Sequence, residues 1–147
     1  MNTIFDTKVL AELVDRITSL QADSQPEWGK MDAFQMLRHC TMSEEMFQGK
    51  KTYKRLLIGR LFGKMALSGI LKNENPLKKN QPTHPDLKIK GTGDFEKERA
   101  KWIELLKGYQ YFSNDPFIHP FFGVMTTENI GYYIYKHSDH HLRQFGK

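Results

Sequence analysis

Apolar residues in this chain recur at steps of three and four, which is the spacing of one face of an α-helix. Breaks that hold proline and glycine separate these stretches, so five helices are predicted. They cover approximately residues 3–20, 32–48, 53–71, 94–109 and 126–145. No segment alternates apolar and polar residues for long enough to form a strand. The chain is therefore predicted to be all-α, with a helical bundle as the natural packing.

Some helix ends, faces and loops can be predicted in more detail. Asp32 and Gln35 have the spacing of a capping box, which places the start of the second helix at residue 32. In the third helix, an apolar stripe is expected to face the core. That stripe consists of Leu57, Leu61, Met65 and Ile70. Residues 73–93, with three prolines and two glycines, are predicted to form a long loop of a kind that is often functional, and residues 114–123 form a second break.

Length and cysteine content limit the kind of site that the chain can form. At 147 residues it is predicted to be a single domain spanning residues 1–147. A domain of this size buries roughly 70% of its unfolded surface and can enclose an internal site. Cys40 is the only cysteine, which excludes an intramolecular disulfide and a cysteine-rich zinc finger. Any metal is then expected to bind nitrogen or oxygen, and Cys40 is predicted to be a small buried residue.

Signals for secretion or membrane insertion are not visible. The first residues carry acids among the apolar positions, instead of the basic start and uninterrupted apolar run of a signal peptide. The most apolar stretch, residues 56–71, is interrupted by Arg60 and Lys64 and is too short to span a bilayer. These features predict a soluble, cytoplasmic protein without a transmembrane segment.

Positive charge is concentrated in one region. The chain has a net charge of +5, yet residues 50–90 hold eleven Lys or Arg and two acidic residues, a local charge of +9. Such a basic block could meet nucleic acid, an anionic surface or an anionic small molecule. Because no recognised nucleic-acid-binding motif accompanies it, a solvated helix face and a charged loop are the favoured interpretation, and a nucleic-acid partner is disfavoured.

Three of the six histidines lie in the last predicted helix. His137 and His141 are one helical turn apart and differ by about 40° in direction, so both rings can reach one ion. They continue the apolar stripe that begins with Ile130 and Ile134. Burying two imidazoles without partners would cost a few kcal/mol, which a bound metal would offset. His140 points about 100° away from His141 and is expected to lie outside the first ligand set or on the surface.

His39 is the best-placed candidate for a third ligand. It lies in the apolar stripe of the second helix, and in an antiparallel bundle that stripe can face the last helix. His119, in the break between two helices, is the main alternative, either as a ligand or as a base that lines a pocket. Three neutral imidazoles accept zinc, nickel, copper or iron and leave a coordination position open, as catalytic zinc sites do.

Three segments of the chain resemble a known superfamily. They are WGKMDAFQMLRHC (residues 28–40), HPFFG (residues 119–123) and YKHSDHHLRQFG (residues 135–146). Over nearly the whole chain, their order and spacing resemble the DinB-like, or YfiT-like, metal-binding four-helix bundles. The resemblance implies a four-helix bundle with an additional short helix and long connecting loops. It also implies that a divalent ion, commonly zinc, nickel or iron, is bound by three ligands. These ligands are His39, His137 and His141.

For activity, the resemblance implies a metal-dependent enzyme that acts on a small-molecule substrate. Members of that superfamily include transferases and an isomerase that depend on low-molecular-weight thiols, and others were presumed to be hydrolases. Such bundles often form homodimers. Thiol transfer is therefore favoured over hydrolysis. His119, His140 and Asp139 are candidates for orienting ligands or moving protons, and Arg143 or the basic block is a candidate to bind a carboxylate of the thiol cofactor.

Two other classes of function compete with an enzyme. One is a noncatalytic metal-binding bundle that acts in association or stress response, for which packed side chains should block the pocket. The other is a nucleic-acid binder that uses residues 50–90, for which affinity should fall steeply with salt.

Overall fold

The computed structural model describes residues 1–113 and 116–147. It confirms that the chain is mainly helical. The helices are α1 (Thr7–Thr18), α2 (Ala33–Phe47), α3 (Leu57–Leu71), α4 (Phe95–Lys107) and α5 (Thr127–Gln144). Two short 3-10 turns, Pro85–Leu87 and Gly108–Tyr111, lie before and after α4. Of the break predicted at residues 114–123, Asn114 and Asp115 lie outside the described residues.

Side-chain caps mark the start of α2, α4 and α5. The Asp32 carboxylate accepts a hydrogen bond from the backbone N–H of Gln35 at 2.8 Å, and the Gln35 side chain accepts one from the backbone of Asp32, which confirms the predicted capping box. Thr126 and Asn129 form a second capping box at the start of α5. Asp94 caps α4 through its side chain alone, which accepts a hydrogen bond from the backbone N–H of Lys97. Each cap satisfies backbone donors that the first helical turn leaves without partners.

The core is built mainly from four of the helices. Fully buried apolar side chains come from α1, α2, α4 and α5, and α2 packs along α4. They include Leu13, Ile17, Met36, Leu37, Trp102, Leu106, Ile130 and Ile134. Cys40 is buried among them without a disulfide, as predicted. Within the two described ranges, no helix is long and apolar enough to cross a membrane.

The prediction that the chain contains no strand was wrong. β1 (Phe117–His119) and β2 (Gly123–Met125) form an antiparallel hairpin in which Ile118 faces Val124. Each strand has only three residues, which is too short to produce a visible alternation of apolar and polar residues. Gly123 closes the turn with a φ of +84°, a conformation that glycine adopts without steric cost.

The predicted inward face of the third helix was also wrong. Leu57 and Leu61 are each 78% exposed and Met65 is 69% exposed, while Ile70 is half-buried. The buried residues of α3 are instead Gly59, Gly63 and Leu67. The two glycines lie directly against the backbone of Phe121, in the hairpin turn. Because glycine has no side chain, α3 can approach the hairpin at backbone distance, and its larger apolar residues are turned outward.

The glycine contact predicts opposite effects for two alanine substitutions in one helix. A Cβ on Gly63 would overlap the carbonyl oxygen of Phe121, so Gly63→Ala should lower the free energy of unfolding by about 1–3 kcal/mol. A Cβ on Gly69 would meet no atom within 4 Å, so Gly69→Ala should raise it by about 0.5–1 kcal/mol through helix propensity. Urea unfolding followed by circular dichroism measures both, and equal effects would contradict the packing of α3.

Among the described residues, the buried carboxyl group of Glu44 forms no ion pair. Glu44 of α2 is fully buried, and the Tyr109 hydroxyl donates a hydrogen bond to its Oε2 at 2.5 Å. Burial raises the pKa of Glu44 to about 8, and the hydrogen bond from Tyr109 opposes that shift. The folded protein therefore holds a proton on Glu44 near neutral pH, whereas the unfolded chain releases it near pH 4.5.

This difference in proton binding predicts how stability changes with pH. Because the folded state binds more protons than the unfolded state between about pH 4.5 and pH 8, the contribution of Glu44 to stability falls as pH rises through that range. Glu44→Gln has no carboxyl group to titrate, so its free energy of unfolding should depend less on pH. Between pH 5 and pH 8, that free energy should fall by at least about 1 kcal/mol less in the variant than in the parent protein. Urea unfolding at several pH values measures it, with Glu104→Gln on the exposed side of α4 as the control that should retain the slope.

Candidate metal centre

Three histidine side chains converge between α2 and α5. One ring nitrogen each of His39, His137 and His141 lies within 4.8 Å of the other two, and all three residues are buried. The Nε2 atoms of His39 and His137 are 3.2 Å apart. Nitrogen ligands at about 2.0–2.1 Å from a tetrahedral ion would be about 3.3 Å apart, which is close to this distance. The three histidines could therefore hold a metal ion.

The two helices bring these residues together for a local reason. In α5, His137 and His141 follow Ile130 and Ile134 on the buried side of the helix. In α2, His39 lies on the buried face, and 98 residues separate it from His137. The apolar stripes that pack the helices into the core thus also carry the three imidazoles.

Hydrogen bonds to Nδ1 set the protonation of two of the rings. His39 Nδ1 lies 2.9 Å from the carbonyl oxygen of Leu87, which can only accept, so His39 carries its proton on Nδ1. His141 Nδ1 lies 2.9 Å from Oε1 of Gln144, whose amide nitrogen donates to the carbonyl oxygen of Trp28 at 2.8 Å. That second bond fixes the orientation of the amide. In both neutral rings the lone pair is therefore on Nε2, the atom available to a metal.

The third ring completes a donor set that suits a cation. Nδ1 of His137 is buried and has no hydrogen-bond partner within the described part of the chain. Since Nε2 of His39 has a lone pair, either a proton on Nε2 of His137 or a cation must lie between these two atoms. Burial lowers the pKa of all three imidazoles, and the neighbouring rings lower those of His137 and His141 further. All three are thus neutral, the form that binds metal.

A cavity opens beside the histidines. It has a volume of about 910 Å³, and His39 and His137 form part of its wall. Three aromatic residues, Phe121, Phe122 and Tyr133, also line it, and the ring of Tyr133 stacks on that of His137. The space next to the cluster is therefore not filled by packed hydrocarbon, and it is large enough for a small organic molecule.

His119 lines this cavity but does not join the cluster. Its Nδ1 accepts hydrogen bonds from the backbone N–H groups of Phe121 and Phe122 at 3.1 and 3.2 Å, and its ring stacks on Phe122. Burial lowers the pKa of His119 to about 3. The ring is therefore neutral with its proton on Nε2, so it can donate a hydrogen bond, whereas Nδ1 is already occupied. Of the two candidates for the third position, the structure brings His39 and not His119 to the histidine pair.

The other predicted site residues lie at a second cleft. Asp139, His140 and Arg143 line a cleft of about 720 Å³ and do not line the cavity beside the cluster. The Asp139 carboxylate is paired with Arg16 and with Arg143, each at 3.0 Å. The His140 ring meets that of Trp28 edge to face and lies outside the group of three, as predicted. These residues turn away because each step along a helix rotates a side chain by about 100°.

Sequence reasoning missed the groups that orient the ligands. Gln144 follows His141 at a spacing of three, which places it on the same side of α5, so its role could have been inferred. The Leu87 carbonyl is a backbone group in the long loop, and no residue pattern reveals it.

One comparison with known proteins assigns the chain to a family. A family model described as "Protein of unknown function (DUF1569)" matches residues 3–147. The chain belongs to the DUF1569 family. No curated protein and no solved structure matches the chain. The region matched by the family model includes all three histidines and both helices that carry them.

The orientation of His141 by Gln144 predicts a loss of metal affinity without loss of a ligand. Gln144→Leu should weaken zinc binding by about 10–100-fold, because it removes the acceptor that holds His141 Nδ1. Gln144→Glu keeps an acceptor for His141 Nδ1, although it loses the N–H that bonds to the Trp28 carbonyl, so it should retain more of the affinity than Gln144→Leu. Competition with a chromophoric zinc chelator measures both, and equal losses in the two variants would contradict the role of this acceptor.

Proposed function

We propose that this DUF1569 protein is a divalent-metal-dependent enzyme that transfers a low-molecular-weight thiol to a small electrophilic substrate. The observation that carries the proposal is that three neutral, buried imidazoles converge on one point, and that two of them, His39 and His137, line a cavity of about 910 Å³. Three protein ligands with an accessible fourth position are typical of catalytic metal sites, whereas structural sites are closed by protein ligands.

The proposed fold is a DinB-like, or YfiT-like, four-helix bundle. In this assignment α1, α2, α4 and α5 are the bundle helices, since they supply the fully buried side chains, and α3 is the additional helix. The positions of the ligands support it: one histidine lies on α2, and two lie one turn apart on the last helix. Zinc, nickel and iron are all compatible with three imidazoles, and geometry and supply select between them.

The chemistry follows from the environment of the site. A bound divalent ion lowers the pKa of a thiol or water beside it, and so supplies a nucleophile near neutral pH. The aromatic wall formed by Phe121, Phe122 and Tyr133 would hold a flat, apolar acceptor. The N–H of His119, which lines the same cavity, can donate a hydrogen bond to an acceptor atom of the substrate. In the transfer, a sulfur–carbon bond forms, the leaving group departs with its bonding electrons, and the thiol proton goes to solvent.

The cavity also favours this proposal over a noncatalytic metal-binding bundle. If the metal had a purely structural role, side chains would be expected to fill the space beside it. Here His39 and His137 are part of an open cavity wall. Hydrolysis would use the same site with water in place of the thiol, so assays with and without thiols distinguish these two reactions.

The test begins with metal content. Elemental analysis of untagged protein should find stoichiometric metal, and His39→Ala, His137→Ala and His141→Ala should each lose it. His140→Ala is the matched control, because that ring lies outside the cluster on the same helix, and it should retain the metal. Circular dichroism checks that each variant is folded. Metal retained by His137→Ala, or lost by His140→Ala, would contradict the assignment.

Activity is tested on the metal-loaded protein. Several low-molecular-weight thiols are combined with an activated chloro-aromatic acceptor, and release of chloride is measured. We expect thiol-dependent turnover in the parent protein and in His140→Ala, and none in His137→Ala. A protein that holds stoichiometric metal but transfers none of the thiols would contradict the transferase and favour hydrolysis or a noncatalytic role.

A further inference from the structure

An apolar ridge on α3 is exposed to solvent. It consists of Leu57, Ile58, Leu61, Phe62 and Met65, whose exposed fractions range from 50% to 78%. Soluble monomers rarely expose contiguous apolar patches of more than a few hundred Å², and larger patches mark sites of interaction. Scattered single residues would need no explanation, but these five follow one another at helical spacing over two turns.

The packing of α3 holds this ridge outward. The row that contains Leu57, Leu61 and Met65 lies about 160° around the helix from the row that contains Gly59 and Gly63. Those glycines contact the backbone of the hairpin turn, so the helix cannot roll inward without breaking that contact. The ridge is therefore a fixed feature of the folded protein.

Positive charge flanks the ridge. Arg60 and Lys64 are exposed, lie one turn apart beside the row of Leu57 and Leu61, and form no ion pair within residues 1–113 and 116–147. Residues 50–72, which lead into α3 and include it, hold seven Lys or Arg and no acidic residue. An apolar face bordered by basic side chains is typical of helices that lie in the interface of an anionic membrane.

We propose that α3 docks this protein onto the surface of an anionic phospholipid bilayer. The apolar ridge enters the boundary between the headgroups and the acyl chains, parallel to the membrane plane. Arg60 and Lys64, at the side of the helix, extend their charged ends to the lipid phosphates. The proposal concerns peripheral binding and does not depend on the metal centre.

The charge distribution favours a bilayer over two alternative partners, a second copy of the chain and nucleic acid. In a symmetric homodimer the same patch meets itself, and residues 50–72 offer no acidic residue to pair with the basic residues of the second copy. Nucleic acid would satisfy the positive charge, but it would leave five large apolar side chains against a charged phosphate backbone. Anionic lipid is complementary to both the charge and the apolar surface.

Cosedimentation of the intact protein with vesicles tests the proposal. We expect binding to phosphatidylcholine vesicles that contain phosphatidylglycerol, weaker binding at high salt, and little binding to phosphatidylcholine alone.

Two double variants test the ridge and its charges. Leu61→Ser/Met65→Ser should weaken binding by at least about tenfold, because two apolar side chains that enter the bilayer are lost. Arg60→Glu/Lys64→Glu should weaken it by at least about tenfold, because two cations become anions beside the lipid phosphates. The four substituted side chains are exposed, so the variants should fold, and circular dichroism confirms this.

Matched controls separate this surface from general effects of charge and hydrophobicity. Lys8→Glu/Lys97→Glu makes the same change in net charge on α1 and α4, and Tyr111→Ser removes an exposed aromatic residue outside α3. Both should bind vesicles nearly as well as the parent protein. Absence of binding to anionic vesicles would overturn the proposal. So would binding by Leu61→Ser/Met65→Ser or Arg60→Glu/Lys64→Glu that is as strong as that of the parent protein. So would a dimer in sedimentation that Leu61→Ser/Met65→Ser converts to a monomer while no vesicles are bound, since the occupant would then be a second copy.

Discussion

The contact between α2 and α5 places three uncharged imidazoles inside the protein. A polar nitrogen that leaves water must find a partner in the core, and each of these rings has two nitrogens. The backbone of Leu87 and the side chain of Gln144 satisfy one nitrogen each of His39 and His141. The remaining atoms face one another or, in the case of His137 Nδ1, have no partner among the described residues. The contact between α2 and α5 therefore suits a cation better than it suits packing alone.

Features that depend on neighbours in sequence were predictable. The capping box at Asp32 and Gln35 uses contacts within one turn, and the stripe ending in His137 and His141 follows from the helical period. The face of α3 was not predictable in the same way, because its sequence carries two opposite rows, one of large apolar residues and one containing glycines. Only the backbone of Phe121, 58 residues beyond Gly63, decides which row is buried. Hydrophobicity alone favours burial of the row of large apolar residues, whereas the fold buries the row that contains the glycines.

In the candidate site, too, features set by neighbours in sequence were predictable and features set by distant contacts were not. The three histidines could be selected from sequence because the stripes that bury them also bring them together. Asp139, His140 and Arg143 lie within two residues of a ligand in sequence, but helical rotation places them at another cleft. The position of the proton on His119 depends on two backbone N–H groups in a hairpin whose strands were too short to predict.

The carbonyl of Leu87 also joins the centre to the lysine-rich loop at residues 73–93. His39 can keep its ring orientation only while that loop holds Leu87 in position. Coupling between two equilibria is reciprocal. The free energy by which a bound ion stabilises the ordered loop therefore equals the free energy by which the ordered loop strengthens ion binding. Substitutions in this loop, outside the three ligands, would then change the affinity for the ion while the three histidines remain unchanged.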